Sequence, residues 1–401
     1  SWWMPWRASP VPSSPRAPPL RPAGWLPRQP TCRTQAGGGD RSSPDRAHRP
    51  AHDLPTSAPD IVATVTSSHS TQPPENTQPA PLLDLLATLD LEELGSAVMS
   101  VQPLSTADTA DGTLPTPLPE TFAEDITLFR GQSQKQPHGR VFGGQVLAQG
   151  VIACGRTVRV IEGGEKRRLH SLHAYFMRPG DDTQPITFSV ERMRDGRSFS
   201  TRRVHAIQHG KPILSMSASF QDPDAGLDHQ DPFPQTPSPD TLPSLAELFE
   251  GVDHPAARHM AEGRAIDQRH VEGNLFATPA TDRVADQRVW MRATGTLPDD
   301  PLIHDAVLAY ASDYSLLETI LRRHGRTWTT PGLRAASLDH AMWFHRPARA
   351  DEWILYAEHS PSAQGGRGLG IGRMFTEGGI LVATVAQEGM LRVPSPEDDR
   401  G

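Results

Sequence analysis

The sequence contains little cysteine, little lysine and no long apolar run. Two cysteines, Cys32 and Cys154, are too few for a disulfide framework, so we expect a reducing compartment and a cytoplasmic protein. No apolar run approaches the roughly 18 residues of a membrane-spanning helix. The formal net charge is −8, and only Lys135, Lys166 and Lys211 are lysines among 39 basic residues. This balance gives no reason to expect a nucleic-acid partner.

Proline, by contrast, is abundant, and it is concentrated at the amino-terminal end. It occupies 16 of the first 80 positions, and no Asp or Glu precedes Asp40. Such a segment cannot bury enough apolar surface to offset the entropy lost on ordering. Its proline content also disfavours the amphipathic helix of an Arg-rich targeting peptide. We therefore expect residues 1–78 to form a disordered head.

After this head, the apolar pattern predicts a short helix and then a helix with antiparallel strands. The helix covers residues 81–95, with Pro81 at its start and Gly95 after its end, and a linker follows to residue 121. A second helix, apolar nearly all round, begins at the Gly143–Gly144 pair and ends near Thr157. The predicted strands lie at 127–130, 168–178, 185–194, 198–208 and 212–220.

The same plan then recurs after a linker at 221–285 that contains a short helix near 243–250. Phe176, Arg178 and Pro179 recur with a constant offset at Phe344, Arg346 and Pro347, which indicates two copies of one fold unit. In the second copy we predict a helix at 304–322 and strands at 288–294, 334–345, 352–360, 367–376 and 380–391. The predicted fold class is α+β, a double hotdog in which each antiparallel sheet wraps one central helix.

Six sequence blocks, found in order, carry a resemblance to a known family. They are 128–133 (LFRGQS), 141–146 (VFGGQV), 173–180 (HAYFMRPG), 308–313 (LAYASD), 337–347 (SLDHAMWFHRP) and 386–389 (AQEG). With these blocks the chain resembles the acyl-CoA thioesterase II family over about residues 121–393. The resemblance implies an enzyme that hydrolyses fatty acyl-CoA to free fatty acid and coenzyme A.

The resemblance also implies catalytic roles for Asp313, Ser337 and Gln387, each within a matched block. The residue types agree with that chemistry, because a carboxylate on an apolar helix is costly to bury without partners. A hydroxyl and an amide from strands supply such partners. Together the three groups could hold one water, with Asp313 as its proton acceptor. No metal or cofactor is expected, since no residues show metal-ligand spacing.

Four further residues are predicted to contact substrate or line the site. The N–H groups at Gly143 and Gly144 are candidates for stabilising the carbonyl oxygen, although the glycine pair also suits tight packing. We expect His340 to pack or form hydrogen bonds beside the site. Arg367 lies in a glycine-rich stretch that lacks the helix and Lys of a phosphate-binding loop, but it could meet a coenzyme A phosphate.

Two alternative functions stay open at this point. One is a non-catalytic acyl-CoA-binding protein, and the other is a different hotdog enzyme such as an enoyl-CoA hydratase, for which His304 and Asp305 lack the required context. We expect a homodimer or homotetramer. The predicted organisation is a head (1–78), a helix and linker (79–120), an N-terminal hotdog (121–221), a linker (222–285), a C-terminal hotdog with the catalytic residues (286–393) and a tail (394–401).

Overall fold

The computed structural model describes residues 78–101, 122–253, 255–276 and 280–393. Residues 1–77 of the predicted disordered head, the second part of the first linker (102–121) and the predicted tail therefore lie outside the described residues. All described residues belong to one compact unit. No helix in these ranges combines the length and the apolar character that crossing a bilayer requires.

Two central helices, packed against each other, form the middle of the fold. Helix α2 (Gly143–Arg159) is buried along almost its whole length, and its last turn carries Arg156 and Arg159, whose charge suits the helix C-terminus. Helix α5 (Pro301–Ser312) begins with proline, and the side chain of Asp300 accepts a hydrogen bond from the Leu302 N–H at 2.9 Å. Shorter helices lie outside this pair: α1 (Ala80–Leu89), α3 (Leu245–Leu248), α4 (Pro255–Glu262) and α6 (Glu318–Arg323).

Antiparallel strands surround the two helices. In chain order they are β1 (Glu92–Val101), β2 (Phe122–Gly131), β3 (Arg168–Phe176), β4 (Ile186–Asp195), β5 (Phe199–Gln208), β6 (Lys211–Gln221), β7 (Ile266–His270), β8 (Asp286–Ala293), β9 (Arg334–Ser337), β10 (Asp339–Phe344), β11 (Ile354–Gln364), β12 (Arg367–Thr376) and β13 (Leu381–Arg392). They pair in the order β1-β2-β4-β5-β6-β3-β10-β13-β12-β11-β8-β7, and β9 pairs with β13. The antiparallel pair β3–β10 joins the two halves into one sheet, with Asp339 opposite Tyr175.

Each half of this sheet wraps one of the central helices. Helix α2 contacts strands β2 to β6, and the helical segment α5–α6 contacts strands of the second half. Alternate residues along the strands face the helices, as Val204 and Ala206 of β5 show, and both are fully buried. One helix wrapped by antiparallel strands, present twice, confirms the predicted double hotdog fold.

The predicted helix at 81–95 is wrong in its second part. Helix α1 ends at Leu89, and residues from Glu92 onward form strand β1, which pairs with β2. Gly95 adopts φ +123° at a bulge in this pairing, so it interrupts a strand and does not follow a helix. The described side chains of β1 are exposed, so the strand is held by backbone hydrogen bonds and has no burial pattern that its sequence could reveal.

Two further predictions in the second half need correction. The predicted linker 222–285 contains β7, which pairs with β8, so the second sheet begins before residue 285. The predicted strand 334–345 is interrupted at Leu338: β9 pairs with β13, whereas β10 pairs with both β3 and β13. At the interruption, the Asp339 carboxylate accepts the Glu388 N–H at 2.7 Å.

The packing of α2 on α5 predicts a compensating pair of substitutions. A Cβ on Gly155 would lie 2.5 Å from two methyl carbons of Leu302. We expect Gly155→Ala to lower the unfolding free energy by about 1–3 kcal/mol through overpacking. In the Leu302→Ala background the same change should be nearly neutral, since the clashing methyls are gone. Urea denaturation of the two single variants and the double variant measures this coupling.

Gly226→Ala is the control, because no atom lies within 4 Å of a Cβ built there. Its effect on stability should stay within about 0.5 kcal/mol. Equal losses for Gly155→Ala in both backgrounds would contradict the packing described.

Candidate active site

Asp313 lies where helix α5 ends, and not inside a continuous helix as predicted. It is the C-cap of α5, and the chain turns through residues 313–317 before α6 begins at Glu318. The predicted helix 304–322 is therefore broken at the acidic residue. This break turns the Asp313 carboxylate toward β9 and β13, where its side-chain partners lie.

The structure brings Asp313, Ser337 and Gln387 together in one three-way contact. The Ser337 hydroxyl donates to Asp313 Oδ1 at 3.1 Å, and Gln387 Nε2 donates to the same oxygen at 2.8 Å. Gln387 Nε2 also donates to Ser337 Oγ at 2.7 Å. The three residues come from the end of α5, from β9 and from β13. One carboxylate therefore accepts hydrogen bonds from two strands of the second half.

The glycine pair at the start of α2 completes the surroundings of this carboxylate. The Gly144 N–H lies near the Asp313 carboxylate and acts to lower its pKa. A Cβ on Gly143 would lie 2.5 Å from Asp313 Oδ2, and one on Gly144 would lie 2.3 Å from the Tyr310 carbonyl oxygen. Glycine is therefore required here for close approach, and the Gly144 N–H faces the carboxylate. That the pair contacts substrate stays a prediction.

The environment of Asp313 sets its acidity. Burial raises the pKa of Asp313 to about 6, while the hydrogen bonds from Gln387 and Ser337, together with the nearby Gly144 N–H, act in the opposite direction. With this pKa most of the carboxylate is ionised at pH 7, yet it remains a far better proton acceptor than an exposed aspartate. A group with these properties is suited to general base catalysis.

His340 lies beside these residues and is almost completely buried, with 1% of its surface exposed. Its Nδ1 is 2.7 Å from Gln387 Oε1, and its Nε2 is 2.9 Å from the hydroxyl of Ser312. Burial lowers the pKa of His340 to about 4, against the effect of its hydrogen bond to Gln387. The imidazole is thus neutral at pH 7. It contacts Gln387 and Ser312; direct contact with substrate stays a prediction.

Arg367 is not brought to this group of residues. It lies at the start of β12, exposed, and its guanidinium forms an ion pair with Glu388 at 3.0 Å. Glu388 follows Gln387 on β13, so the two side chains point to opposite faces of the sheet. The ion pair therefore lies on the outer face, away from Asp313. The suggestion that Arg367 meets a coenzyme A phosphate stays a prediction.

Sequence reasoning missed two groups of residues around the site. Ser312 lies within a matched block but was given no role, although a serine–aspartate pair ending an apolar helix is itself a polar signal. The second group holds the turn after Asp313: the Ser315 hydroxyl and Gln287 Nε2 each donate to the buried Glu358 carboxyl at 2.5 Å. Burial raises the pKa of Glu358 to about 8. Its partners come from distant segments, so sequence spacing gave no sign of them.

Aromatic rings form one side of the site. Phe142 stacks on Tyr314 with ring centroids 4.7 Å apart and meets Tyr310 edge-on at 5.1 Å. Phe142 precedes the glycine pair and Tyr314 follows Asp313, so the apolar rings adjoin the polar residues. Within the described ranges, no three His, Cys, Asp or Glu side chains are grouped so as to hold a metal ion. The polar groups that meet at the site are a carboxylate, a hydroxyl and an amide.

Comparisons with known proteins agree with this fold in both halves. The family model for acyl-CoA thioesterase matches residues 260–390, and the model for the acyl-CoA thioesterase N-terminal domain matches residues 132–221. The chain is 38% identical over 273 residues to acyl-CoA thioesterase 2 of Haemophilus influenzae, a match covering 67% of this chain and 93% of that protein.

Solved structures show the same relationship. The crystal structure of the acyl-CoA thioesterase II TesB2 from Mycobacterium marinum is 44% identical, with a TM-score of 0.54, and the match covers 67% of this chain and 94% of that one. A conserved protein of unknown function with a hot dog fold from Alicyclobacillus acidocaldarius, 18% identical, matches with a TM-score of 0.54 over 67% of this chain and 94% of that one. The latter supports the fold alone.

Fold and site together define a double hotdog enzyme with a carboxylate, a hydroxyl and an amide at the junction of its central helices. The matches over both halves settle which group of such enzymes it is. The chain belongs to the acyl-CoA thioesterase II family.

The raised pKa of Asp313 predicts how stability depends on pH. The folded-state pKa of about 6 lies above the ordinary value of 3.8, so between these values the native state binds more protons than the unfolded state. Unfolding free energy should therefore fall as pH rises from about 4 to about 6. Asp313→Asn lacks this titration. As pH rises across that window, the unfolding free energy of the variant should increase relative to that of wild type by on the order of 1–3 kcal/mol.

Urea denaturation of both proteins at intervals between pH 4 and pH 7 provides the measurement. A difference in unfolding free energy that stays constant over this range would contradict the raised pKa.

Proposed function

We propose that this protein hydrolyses fatty acyl-CoA to free fatty acid and coenzyme A by direct attack of water. The observation that carries the proposal is the convergence of Asp313, Ser337 and Gln387 at distances of 2.7–3.1 Å. Membership of the acyl-CoA thioesterase II family supports the substrate class, as do the names of the similar proteins. We further propose that the enzyme acts in the cytoplasm and in fatty acid metabolism.

In the proposed mechanism Asp313 is the general base. The oxygen of a water molecule bonds to the thioester carbonyl carbon while one water proton passes to the Asp313 carboxylate. Ser337 and Gln387 orient the water and the carboxylate. The carbon–sulfur bond then breaks, and Asp313 returns the proton to the departing sulfur of coenzyme A. The second water proton stays with the fatty acid, and no acyl-enzyme forms.

The surroundings support this direct attack over a serine nucleophile. Ser337 donates to Asp313 and accepts from Gln387, and no histidine among the described residues forms a hydrogen bond with its hydroxyl to serve as its base. We propose that the carbonyl oxygen is stabilised at the start of α2, where Gly143 is the stronger candidate because the Gly144 N–H faces Asp313. We place the acyl chain between central helix and sheet, starting at the aromatic side formed by Phe142, Tyr310 and Tyr314.

Nothing in the structure favours the alternative functions. His304 and Asp305, the pair considered for a hydratase, lie near the start of α5. Along the helix they are about 12 Å or more from Asp313, given a rise of about 1.5 Å per residue. A binding protein without activity would be expected to lack one of the three converging residues, and all three are present in hydrogen-bonded contact.

An exposed apolar patch supports the proposal that the chain forms a homodimer or homotetramer. Tyr175 on β3, Trp343 on β10 and Ile371 on β12 are 66%, 38% and 38% exposed. They point away from the helices on neighbouring or near-neighbouring strands, where the two halves of the sheet meet. Exposed apolar side chains grouped on one face of a sheet are typical of interaction sites. We propose that a second copy of the chain covers it.

The proposed mechanism predicts the effect of removing the base. Asp313→Asn keeps the shape of the side chain and removes its proton affinity. We expect the rate of thiol release from fatty acyl-CoA to fall by about 100- to 10,000-fold, the usual contribution of a general base. Thiol release from acyl-CoAs of increasing chain length, with wild type and variant, measures this and gives the chain-length preference.

Asp125→Asn is a matched control, because Asp125 is an exposed carboxylate on β2, and its activity should equal that of wild type. Binding of acyl-CoA without thiol release by wild type would replace hydrolysis with the binding-protein function. Near-normal activity of Asp313→Asn would leave the thioesterase class intact and remove Asp313 as its base.

The proposed assembly predicts that a charge on the patch separates the copies. Light scattering after size-exclusion chromatography should give wild type two or four times the mass of the 43.8-kDa chain. Tyr175→Lys combined with Ile371→Lys should give a monomer, because buried lysines would be left unpaired in the interface. Met193→Lys, at an exposed position outside the patch, should not change the mass. A monomeric wild type at micromolar concentration would contradict the proposal.

A further inference from the structure

A closed ring of hydrogen bonds links the candidate active site to one buried histidine. Ser312 contacts His340 Nε2 at 2.9 Å, His340 Nδ1 contacts Gln387 Oε1 at 2.7 Å, and Gln387 Nε2 contacts Asp313 Oδ1 at 2.8 Å. Ser312 and Asp313 are neighbours in sequence, so the ring starts and ends at the same turn. It crosses from the end of α5 to β10, then to β13, and back.

The donors and acceptors of this ring fix the direction of each hydrogen bond. Asp313 is ionised at neutral pH and can only accept, so the amide nitrogen of Gln387 must face it. Gln387 Oε1 then faces His340 and also can only accept. His340 must therefore carry its proton on Nδ1. Its Nε2 is left as an acceptor facing the Ser312 hydroxyl, whose single proton is shared between this nitrogen and the Ala309 carbonyl oxygen, each 2.9 Å from Ser312 Oγ.

We propose that His340 is a positioning residue, which acts on Asp313 and Ser337 by holding the Gln387 side-chain amide in one orientation. This inference rests on the proposed function and assigns His340 a role that involves no contact with substrate. The donor on Nδ1 holds the amide oxygen, and the amide nitrogen then points at Asp313 Oδ1 and at Ser337 Oγ. Rotation of the amide by half a turn would place its oxygen against the carboxylate, where both groups are acceptors.

Burial explains why a histidine serves this purpose. Gln387 and His340 are each 1% exposed, so water has no access to the far side of the amide. A buried amide oxygen without a donor is unfavourable, and a charged donor would compete with the Gln387 amide for the Asp313 carboxylate. A neutral imidazole supplies one donor and no charge. The low pKa of His340, about 4, is consistent with this neutral form.

A double-mutant cycle tests whether His340 acts through Gln387. We expect His340→Leu to lower kcat for acyl-CoA hydrolysis by about 10- to 100-fold with KM within about twofold, because only the orientation of the amide is lost. Gln387→Ala should lower kcat at least as much. In the double variant the effect should be no larger than that of Gln387→Ala alone, since no amide is left to orient.

Rescue by a conservative variant separates positioning from packing. His340→Asn places an amide N–H near the position of Nδ1, so we expect it to recover at least tenfold of the kcat that His340→Leu loses, at equal KM. His345 provides the matched control. It comes directly after β10, the strand that contains His340, and its Nε2 is 2.8 Å from the Thr384 hydroxyl of β13, but at an exposed position. His345→Leu should keep wild-type kcat. If His340→Leu does not fold, Ser312→Ala tests the same ring, with an expected loss of about 3- to 10-fold in kcat.

The outcomes are distinguishable. Multiplicative losses in the cycle, or no difference between His340→Asn and His340→Leu in folded proteins, would overturn the positioning role of His340 and leave hydrolysis intact. Absence of thiol release by wild type would instead remove the proposed function itself. If Ser312→Ala is the variant used, an unchanged kcat would likewise contradict the positioning role of His340.

Discussion

The burial of one carboxylate is the constraint on which the rest of the structure depends. An ionised Asp313 away from water is unfavourable unless donors surround it, and here Ser337 and Gln387 donate to it while the Gly144 N–H faces it. Each donor imposes a requirement on the fold. Helix α5 must stop at residue 313, β9 and β13 must lie side by side, and α2 must start with small residues so that its backbone can come close.

The same constraint makes the site a product of both halves of the chain. The acid, the hydroxyl and the amide come from the second half, whereas the glycine pair comes from the first. Helix α2 carries no Asp or Glu, so it holds no acid equivalent to Asp313. The antiparallel pair β3–β10 and the contact of α2 with α5 hold the two contributions together. The two halves thus share one fold, but only the second half supplies the acid, the hydroxyl and the amide of the site.

Much of this arrangement could be predicted from the sequence, and the exceptions have physical reasons. Central helices and hairpin strands were found because their apolar patterns are strong. Residues 337, 313 and 387 were found because they lie in matched blocks. Strand β1 was missed, since its described side chains are exposed and Leu residues before it suggested a longer helix. The break at Asp313 was missed because apolar periodicity continues across it through Leu316 and Leu317. The partners of His340 depend on strand register, which no local pattern reveals.

The continuous sheet formed by the pair β3–β10 has a consequence for how such a chain can change over time. In a dimer of identical hotdog subunits, every substitution appears on both sides of the junction at once. Here the two sides are joined by the 222–285 segment and carry separate sequences, although their strands pair as two subunits would. A residue that suits only one side, such as an acid at the end of one helix or glycines at the start of the other, can therefore be kept without a harmful duplicate. With both halves in one chain, a fold of two similar units can carry different site residues in each unit.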